Sequence, residues 1–172
     1  MILHQLRKSG SYIEELDLIA IYEGEIIAHI ISTKARVIDN QNKEHEVLCV
    51  GPFFVSPSCQ NKGIGTKLLD YSISEAKKMG FKGMILFGNP DYYHRFGFRN
   101  AKEYAITTKD NQNFEPFMAL ELYENGLDNV KGRFFEDEAF TTKEDELNEY
   151  EKKFPEKEKS KPKVDINQFT TA

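Results

Sequence analysis

The sequence predicts an α+β domain, and three observations carry that prediction. Short β-rich runs bounded by turn residues recur along the chain, two helical patterns interrupt them, and no internal repeat is present. A chain of 172 residues can bury a core without help from disulfides or metals. Its 40% hydrophobic and 30% charged residues are ordinary for a soluble globular protein.

Residues 1–15 read as a short amphipathic helix, with Ile2, Leu3 and Leu6 at helical spacing. Residues 16–22 and 25–33 are β-rich and flank the turn pair Glu23-Gly24, which predicts a hairpin. Residues 34–45 are polar, with a turn signal at Asp39-Asn40. A third strand is expected over 46–55, stopped by Pro57. A helix then opens at Gly63. Ile64, Leu68, Leu69, Ile73, Ala76 and Met79 fall on one face of it, and Gly80 stands where a left-handed C-terminal cap belongs. Residues 84–87 read as a buried strand broken by Gly88-Asn89-Pro90. A short helical turn with Tyr92, Tyr93 and Phe96 follows and ends at Gly97. Further strands are expected at 103–107 and 117–122.

The main domain is expected to fill residues 1–140. In residues 141–172, Thr141 and Glu144 match a capping box, and Leu147, Tyr150 and Phe154 make a narrow apolar stripe. One docked helix is expected there, ended by Pro155. Residues 156–163 are nearly all Lys, Glu and Pro, a composition that cannot bury enough surface to order itself, so a charged flexible tail is expected.

Bulk properties exclude several classes of function. A formal net charge of -5 gives nucleic acid no bulk electrostatic attraction. Cys49 and Cys59 show neither CxxC spacing nor a metal-ligand pattern, which fits reduced thiols in the cytoplasm and no metal site. The apolar runs are too short to span a bilayer, and the start has no signal-peptide layout. A cytoplasmic protein with no membrane or nucleic-acid partner is expected.

Chemistry concentrates in residues 50–65, VGPFFVSPSCQNKGIG. A strand breaks at Pro57, and a loop with glycines at 63 and 65 enters a helix. Exposed N–H groups at a helix N-terminus make a seat for phosphate oxygens. Lys62 adds a cation, and Asn61 tolerates the left-handed backbone such turns require. The same glycines also serve a purely structural turn. A Rossmann fingerprint needs a third glycine where Leu68 stands, and a P-loop needs Lys before Thr, whereas Thr66 precedes Lys67.

The run Val55-x-Pro57-x-x-Gln60-x-x-Gly63-Ile64-Gly65 resembles the acetyl-CoA-binding motif of the GNAT superfamily. Downstream, Tyr93-His94-Arg95-Phe96-Gly97-Phe98 resembles that family's Tyr-x-x-x-Gly-Phe segment. With Gly88-Asn89-Pro90 before it, the stretch looks like a bacterial subgroup of predicted N-acetyltransferases. The resemblance covers residues 10–125. It implies a mixed, mostly antiparallel sheet flanked by helices, with central strands that splay apart around acetyl-CoA. It further implies that the Phe54-Val55 backbone polarises the thioester carbonyl. Gln60, Asn61, Lys62, Gly63, Ile64, Gly65 and Thr66 would hold the pyrophosphate. Asn89 would also touch the cofactor, and Tyr93 would protonate the leaving thiolate.

By the same resemblance, many relatives carry a Glu in the motif strand where the register here puts Gly51, so the general base is unassigned. Glu46 lies at the strand's start and reads as a solvated edge residue. His29, His45 and His94 are scattered and read as structural. Cys59 reads as a small packing residue. The chain starts at what resembles the family's second helix. That would leave a sheet edge exposed, and an exposed edge invites a homodimer. The expected function is direct transfer of an acetyl group to a primary amine of a small molecule or protein. The rival readings are a catalytically inactive acyl-CoA-binding module and a partner-binding protein.

Overall fold

The computed structural model describes residues 1–141, 147, 150 and 152–154. The strands form one mixed sheet: β1 (Asp17–Tyr22), β2 (Glu25–Ile38), β3 (Glu44–Val55), β4 (Gly83–Phe87), β5 (Arg99–Asn100), β6 (Ile106–Thr108), β7 (Phe117–Glu121) and β8 (Gly132–Phe135). Their order is β5-β7-β4-β3-β2-β8-β6, with β1 also pairing along β2. Most pairs are antiparallel; β3 with β4 and β6 with β8 are parallel. The expected α+β class and sheet type therefore hold.

Helix α2 (Ile64–Lys78) covers one face of the sheet. Leu68, Leu69, Ile73 and Ala76 pack there with Leu16, Ala28, Ile30, Leu48, Met84 and Leu86. Met79, expected on that apolar face, is 43% exposed, because the helix reaches its C-cap at this residue. Gly80 then takes φ +81°, and the N–H groups of Gly80 and Phe81 bond the carbonyls of Lys77 and Ala76. That is the left-handed terminus its position predicts. The opposite face buries Ala35, Val37, Val47, Cys49, Ile85, Phe117 and Phe134.

Several boundaries differ from the sequence expectation. The N-terminal helix α1 is only Ile2–Leu6; a 3-10 turn follows at Glu14–Leu16. The polar stretch 34–45 is mostly strand. Ala35 and Val37 point inward, while Lys34 and Arg36 point out and pair with Glu46 and Glu44 at 3.3 and 3.7 Å. Charged residues on the solvated face hid the period-two pattern. The turn itself lies at Asp39, whose Oδ1 accepts the N–H groups of Gln41 and Lys43. The strand expected at 103–107 begins only at Ile106; Ala101–Tyr104 is a 3-10 turn capped by Asn100. Strand β8, unforeseen in the sequence, pairs with the far end of β2.

In the C-terminal segment, Leu147 and Tyr150 are helical and half-buried, with the Tyr150 ring 6.0 Å from His4. Phe154 is 57% exposed. Glu144, Pro155 and residues 156–172 lie outside the described residues. No helix among the described residues is long and apolar enough to cross a membrane. Both cysteines are free.

Candidate active site

The site is made by the parting of β3 and β4. Leu48 pairs with Met84 and Cys49 with Ile85, yet β3 runs on to Val55 and β4 to Phe87. A β-bulge starts the divergence. Ile30 faces Phe53 and Ser32 faces Val50, so one residue of β2 opposes both Gly51 and Pro52. Gly51 holds φ +129°, a conformation side chains disfavour.

Alternation decides which backbone groups point into the opening. The Ser56 N–H donates to the Ile27 carbonyl at 2.7 Å. Ser56 and Phe54 therefore turn their polar backbone groups to β2, while Val55 and Phe53 turn theirs to the opening. Of the two strand residues expected at the site, Val55 meets the geometry. Phe54 does not offer its backbone; its ring is 46% exposed and lies 5.8 Å from that of His29. Phe53, which sequence reading passed over, faces the opening in the same way as Val55.

The loop from Val55 to α2 builds an anion seat. Asn61 sits at φ +61° and Gly63 at φ +77°, the left-handed geometry expected of these residues. The Gln60 Nε2 donates to the Val55 carbonyl at 3.0 Å, bracing the loop against the strand end. Gly63 is the N-cap of α2, and no side chain caps the first turn. The amides of Ile64, Gly65 and Thr66 are thus the orphan donors of a 15-residue helix, at the positive end of its dipole. A Cβ on Gly63 would meet nothing within 4 Å, so the approach is open. Lys62 is exposed beside it. Uncapped amides, an open approach and a neighbouring cation fit a pyrophosphate.

Gly65 serves close packing. A Cβ there would stand 2.9 Å from the Tyr92 hydroxyl and 3.2 Å from both Phe53 and Val55. Tyr92 thereby docks on the first turn of α2, where its hydroxyl bonds to Thr66. Arg95 lies over the Tyr92 ring at 4.7 Å and donates to its carbonyl at 3.2 Å, bringing a second cation to this side. Sequence reading gave Tyr92 and Arg95 no role. Tyr92 looked like the helical aromatic neighbour of Tyr93, and its partner Thr66 lies far along the chain.

Tyr93 ends the short helix α3 (Pro90–Tyr93). Asn89 caps that helix with its side-chain oxygen, which accepts the Asp91 N–H at 3.0 Å. Its placement is that of a cap holding the Tyr93 turn. The Tyr93 ring packs edge-on against Phe98 and Tyr92 at 5.6 and 5.1 Å. It also lies against Gly88, where any Cβ would overlap it. Burial first, and the Tyr92 hydroxyl second, push the Tyr93 phenol up to about 12. It is therefore protonated at neutral pH.

The histidines and Glu46 have partners within the fold. The Nε2 of His29 meets Asp17, that of His45 meets Asp39 at 3.2 Å, and the Nδ1 of His94 meets the Phe98 carbonyl at 2.8 Å. Glu46 is exposed and paired with Lys34. Between Val50 and Val55 the motif strand carries no titratable side chain.

This arrangement has relatives. The sequence profile of the acetyltransferase (GNAT) family matches residues 4–98, more than half of the chain. The chain belongs to this family. Among curated relatives, the uncharacterized N-acetyltransferase YjhQ of Escherichia coli K12 is 31% identical over 83 residues, covering 48% of this chain and 45% of YjhQ. The chain thus spans under half the length of YjhQ. YhbS of the same strain, an uncharacterized N-acetyltransferase, is 23% identical over 132 residues, 76% of each protein. The crystal structure of E. coli YhbS in complex with CoA superposes with a TM-score of 0.73 at 22% identity, covering 81% of this chain and 75% of that one. A GNAT acetyltransferase from Brucella melitensis in complex with acetyl-CoA gives 0.64 at 26% identity, over 81% and 76%. These likenesses establish the GNAT fold.

Proposed function

We propose that this GNAT chain transfers an acetyl group from acetyl-CoA directly to a primary amine of a small molecule or protein. The observation that carries this reading is the parting of β3 and β4 beside an uncapped α2 N-terminus. The opening offers an unpaired strand edge to an amide-bearing chain, and the helix end offers N–H groups to its phosphates. Acetyl-CoA would supply the activated acyl carbon. The Val55 N–H would donate to the carbonyl oxygen as negative charge develops there. Ile64, Gly65 and Thr66 amides would hold the pyrophosphate with Lys62, and Tyr93 would deliver a proton to the departing sulfur.

The test is a thermal-shift comparison of acetyl-CoA, CoA, ATP and NAD. A ligand at a hundred times its Kd adds about 2.7 kcal/mol, which should raise the melting point by roughly 5–10 °C. Both CoA species should give the shift, and ATP and NAD should not. No shift with CoA would reduce Gln60–Gly65 to a turn. The lack of a titratable side chain between Val50 and Val55 favours one second reading, an acyl-CoA-binding module without catalysis. Tight CoA binding with no thiol release across an amine panel would support that instead.

A homodimer belongs to the same reading. Strand β1 pairs only with β2 among the described strands, and Ile19, Ile21, Tyr22 and Ile26 on and beside it are 45–61% exposed. An open apolar edge is a surface for a second copy. Sedimentation should show dimer at micromolar concentration; monomer alone would remove this assignment.

A further inference from the structure

The sheet face opposite α2 carries a carboxylate where β3 and β4 stop pairing. Cys49 is the last β3 residue paired with β4, and its side chain points to that face. Its Sγ lies 3.8 Å from the Oε2 of Glu136, which follows β8 directly. Glu136 is thus brought across β2 to the point where the strands part. Asp137 fixes the segment by accepting the Ala139 N–H at 2.7 Å. Glu136 is exposed, with its carboxylate end drawn against Cys49. Cys49 is fully enclosed, and burial pushes its thiol well up, so it stays a neutral donor to the carboxylate.

The same face holds a ring stack. Phe87 ends β4 at the opening and is 46% exposed. It stacks on Phe117 at 5.0 Å and on Phe114 at 5.9 Å, with Phe134 at 6.3 Å. Phe134 and Glu136 are two apart along an extended chain and so share this face. A carboxylate and a half-exposed aromatic wall therefore share the face at which β3 and β4 stop pairing. Rival bases are engaged elsewhere: His29 is 3% exposed and bound to Asp17, and Glu46 pairs with Lys34.

We propose that Glu136 takes the proton from the acceptor's ammonium group, and that Phe87 with its stacked partners seats an apolar or aromatic body on that amine. This rests on the acetyltransferase reading above. A proton passes from R–NH3+ to the Glu136 carboxylate through a chain of waters along the opening. The freed nitrogen lone pair forms the C–N bond, the C–S bond breaks with its electrons on sulfur, and the Tyr93 hydroxyl hydrogen-bonds that sulfur. The proton the new amide nitrogen loses is relayed through Tyr93 to the sulfur, which leaves as the thiol, and Glu136 returns its proton to solvent. No oxidant or reductant is needed.

Electrostatics agree. Burial raises the Glu136 carboxyl above the ordinary range, partly offset by the Cys49 hydrogen bond and the Lys109 charge. A carboxylate moved in this direction is a better base than a solvated one. Glu136 is exposed and solvent screens its charge, so Glu136→Gln should leave the melting point near wild type.

The experiment is acetyl-CoA-dependent thiol release with 2-phenylethylamine and ethanolamine as paired acceptors, across pH, using the full chain. Wild type should prefer the aromatic amine. Glu136→Gln should lower kcat/KM for it by about 100-fold and remove the acidic limb of the pH profile, with the acetyl-CoA thermal shift intact. Glu136→Asp should restore part of the rate and the limb. Phe87→Ala should raise KM for 2-phenylethylamine and leave ethanolamine little changed. An unaltered rate and pH profile in Glu136→Gln overturns the base assignment. Transfer to neither amine by a wild type that binds acetyl-CoA overturns the acceptor class. Absence of acetyl-CoA binding in wild type would instead sink the transferase reading.

Discussion

Tyr93→Phe is expected to lower kcat by about 100-fold, the lower end of what a positioned proton donor contributes. The KM for acetyl-CoA and the melting point should stay near wild type. Acidity sets this magnitude. A phenol pushed up to about 12 is a weaker acid than the thiol it would protonate, whose unperturbed value is about 8.5. Tyr93 therefore cannot act by proton strength. It holds a proton reliably at neutral pH and donates a hydrogen bond to sulfur as negative charge grows there. Phe keeps the ring against Phe98 and Gly88 and removes only that hydroxyl. Gly88→Ala approaches the same centre from the other side: its methyl must displace the Tyr93 ring, so a comparable rate loss is expected with Tyr93 still present. Steady-state thiol release at saturating acetyl-CoA measures both. A Tyr93→Phe rate close to wild type would make Tyr93 a packing aromatic and leave the thiolate to solvent.

What the sequence made legible here is local. The loop Gln60–Gly65 announces itself because Asn61 and Gly63 must adopt left-handed backbone, and few residue types do so cheaply. Helix α2 is legible from its stripe and from Gly80. The parting of β3 and β4 is not written in either strand's composition. It came only through resemblance, since a splay depends on a bulge at Gly51-Pro52 and on where pairing with β4 stops. Strand β8 was missed because four residues with one inward-facing side chain, Phe134, carry almost no periodic signal. Glu136 was missed for a related reason: its partner Cys49 is 87 residues away, and nothing local marks it. Asn89 shows the reverse case. Beside its motif position it has a cap role that sequence reading did not assign, its side chain accepting the Asp91 N–H.

Asp17→Ala is expected to destabilise the fold by about 3–5 kcal/mol, the range for removing one partner of a buried ion pair. That is a large fraction of an ordinary domain's stability of about 5–15 kcal/mol. Asp17 is 5% exposed and gathers three side chains: Arg7 at 2.6 and 3.1 Å, Tyr12 at 3.0 Å and His29 at 2.6 Å. Burial by itself would raise its carboxyl, but the hydrogen bonds from Arg7, His29 and Tyr12 together outweigh burial and hold it below the usual range. Alanine leaves the His29 Nε2 without this partner in a ring whose Nδ1 is already buried and unbonded. Asn keeps the shape and loses the charge, so a smaller cost, about 1.5–3 kcal/mol, is expected. The sign of the pH dependence follows from the lowered pKa. This stabilisation is fully present above the unfolded value near pH 4 and is lost as pH falls through the folded value beneath it. Wild type should therefore lose part of its advantage over Asp17→Ala in strong acid, and urea melts at neutral and acid pH measure that difference. A difference under about 1 kcal/mol at neutral pH would class the cluster with exposed ion pairs. The cluster ties the α1 segment and β1 to β2 at His29, directly across from Phe54. Loosening it should free the strand that holds Val55 at the opening, so the acetyl-CoA thermal shift should shrink along with the stability.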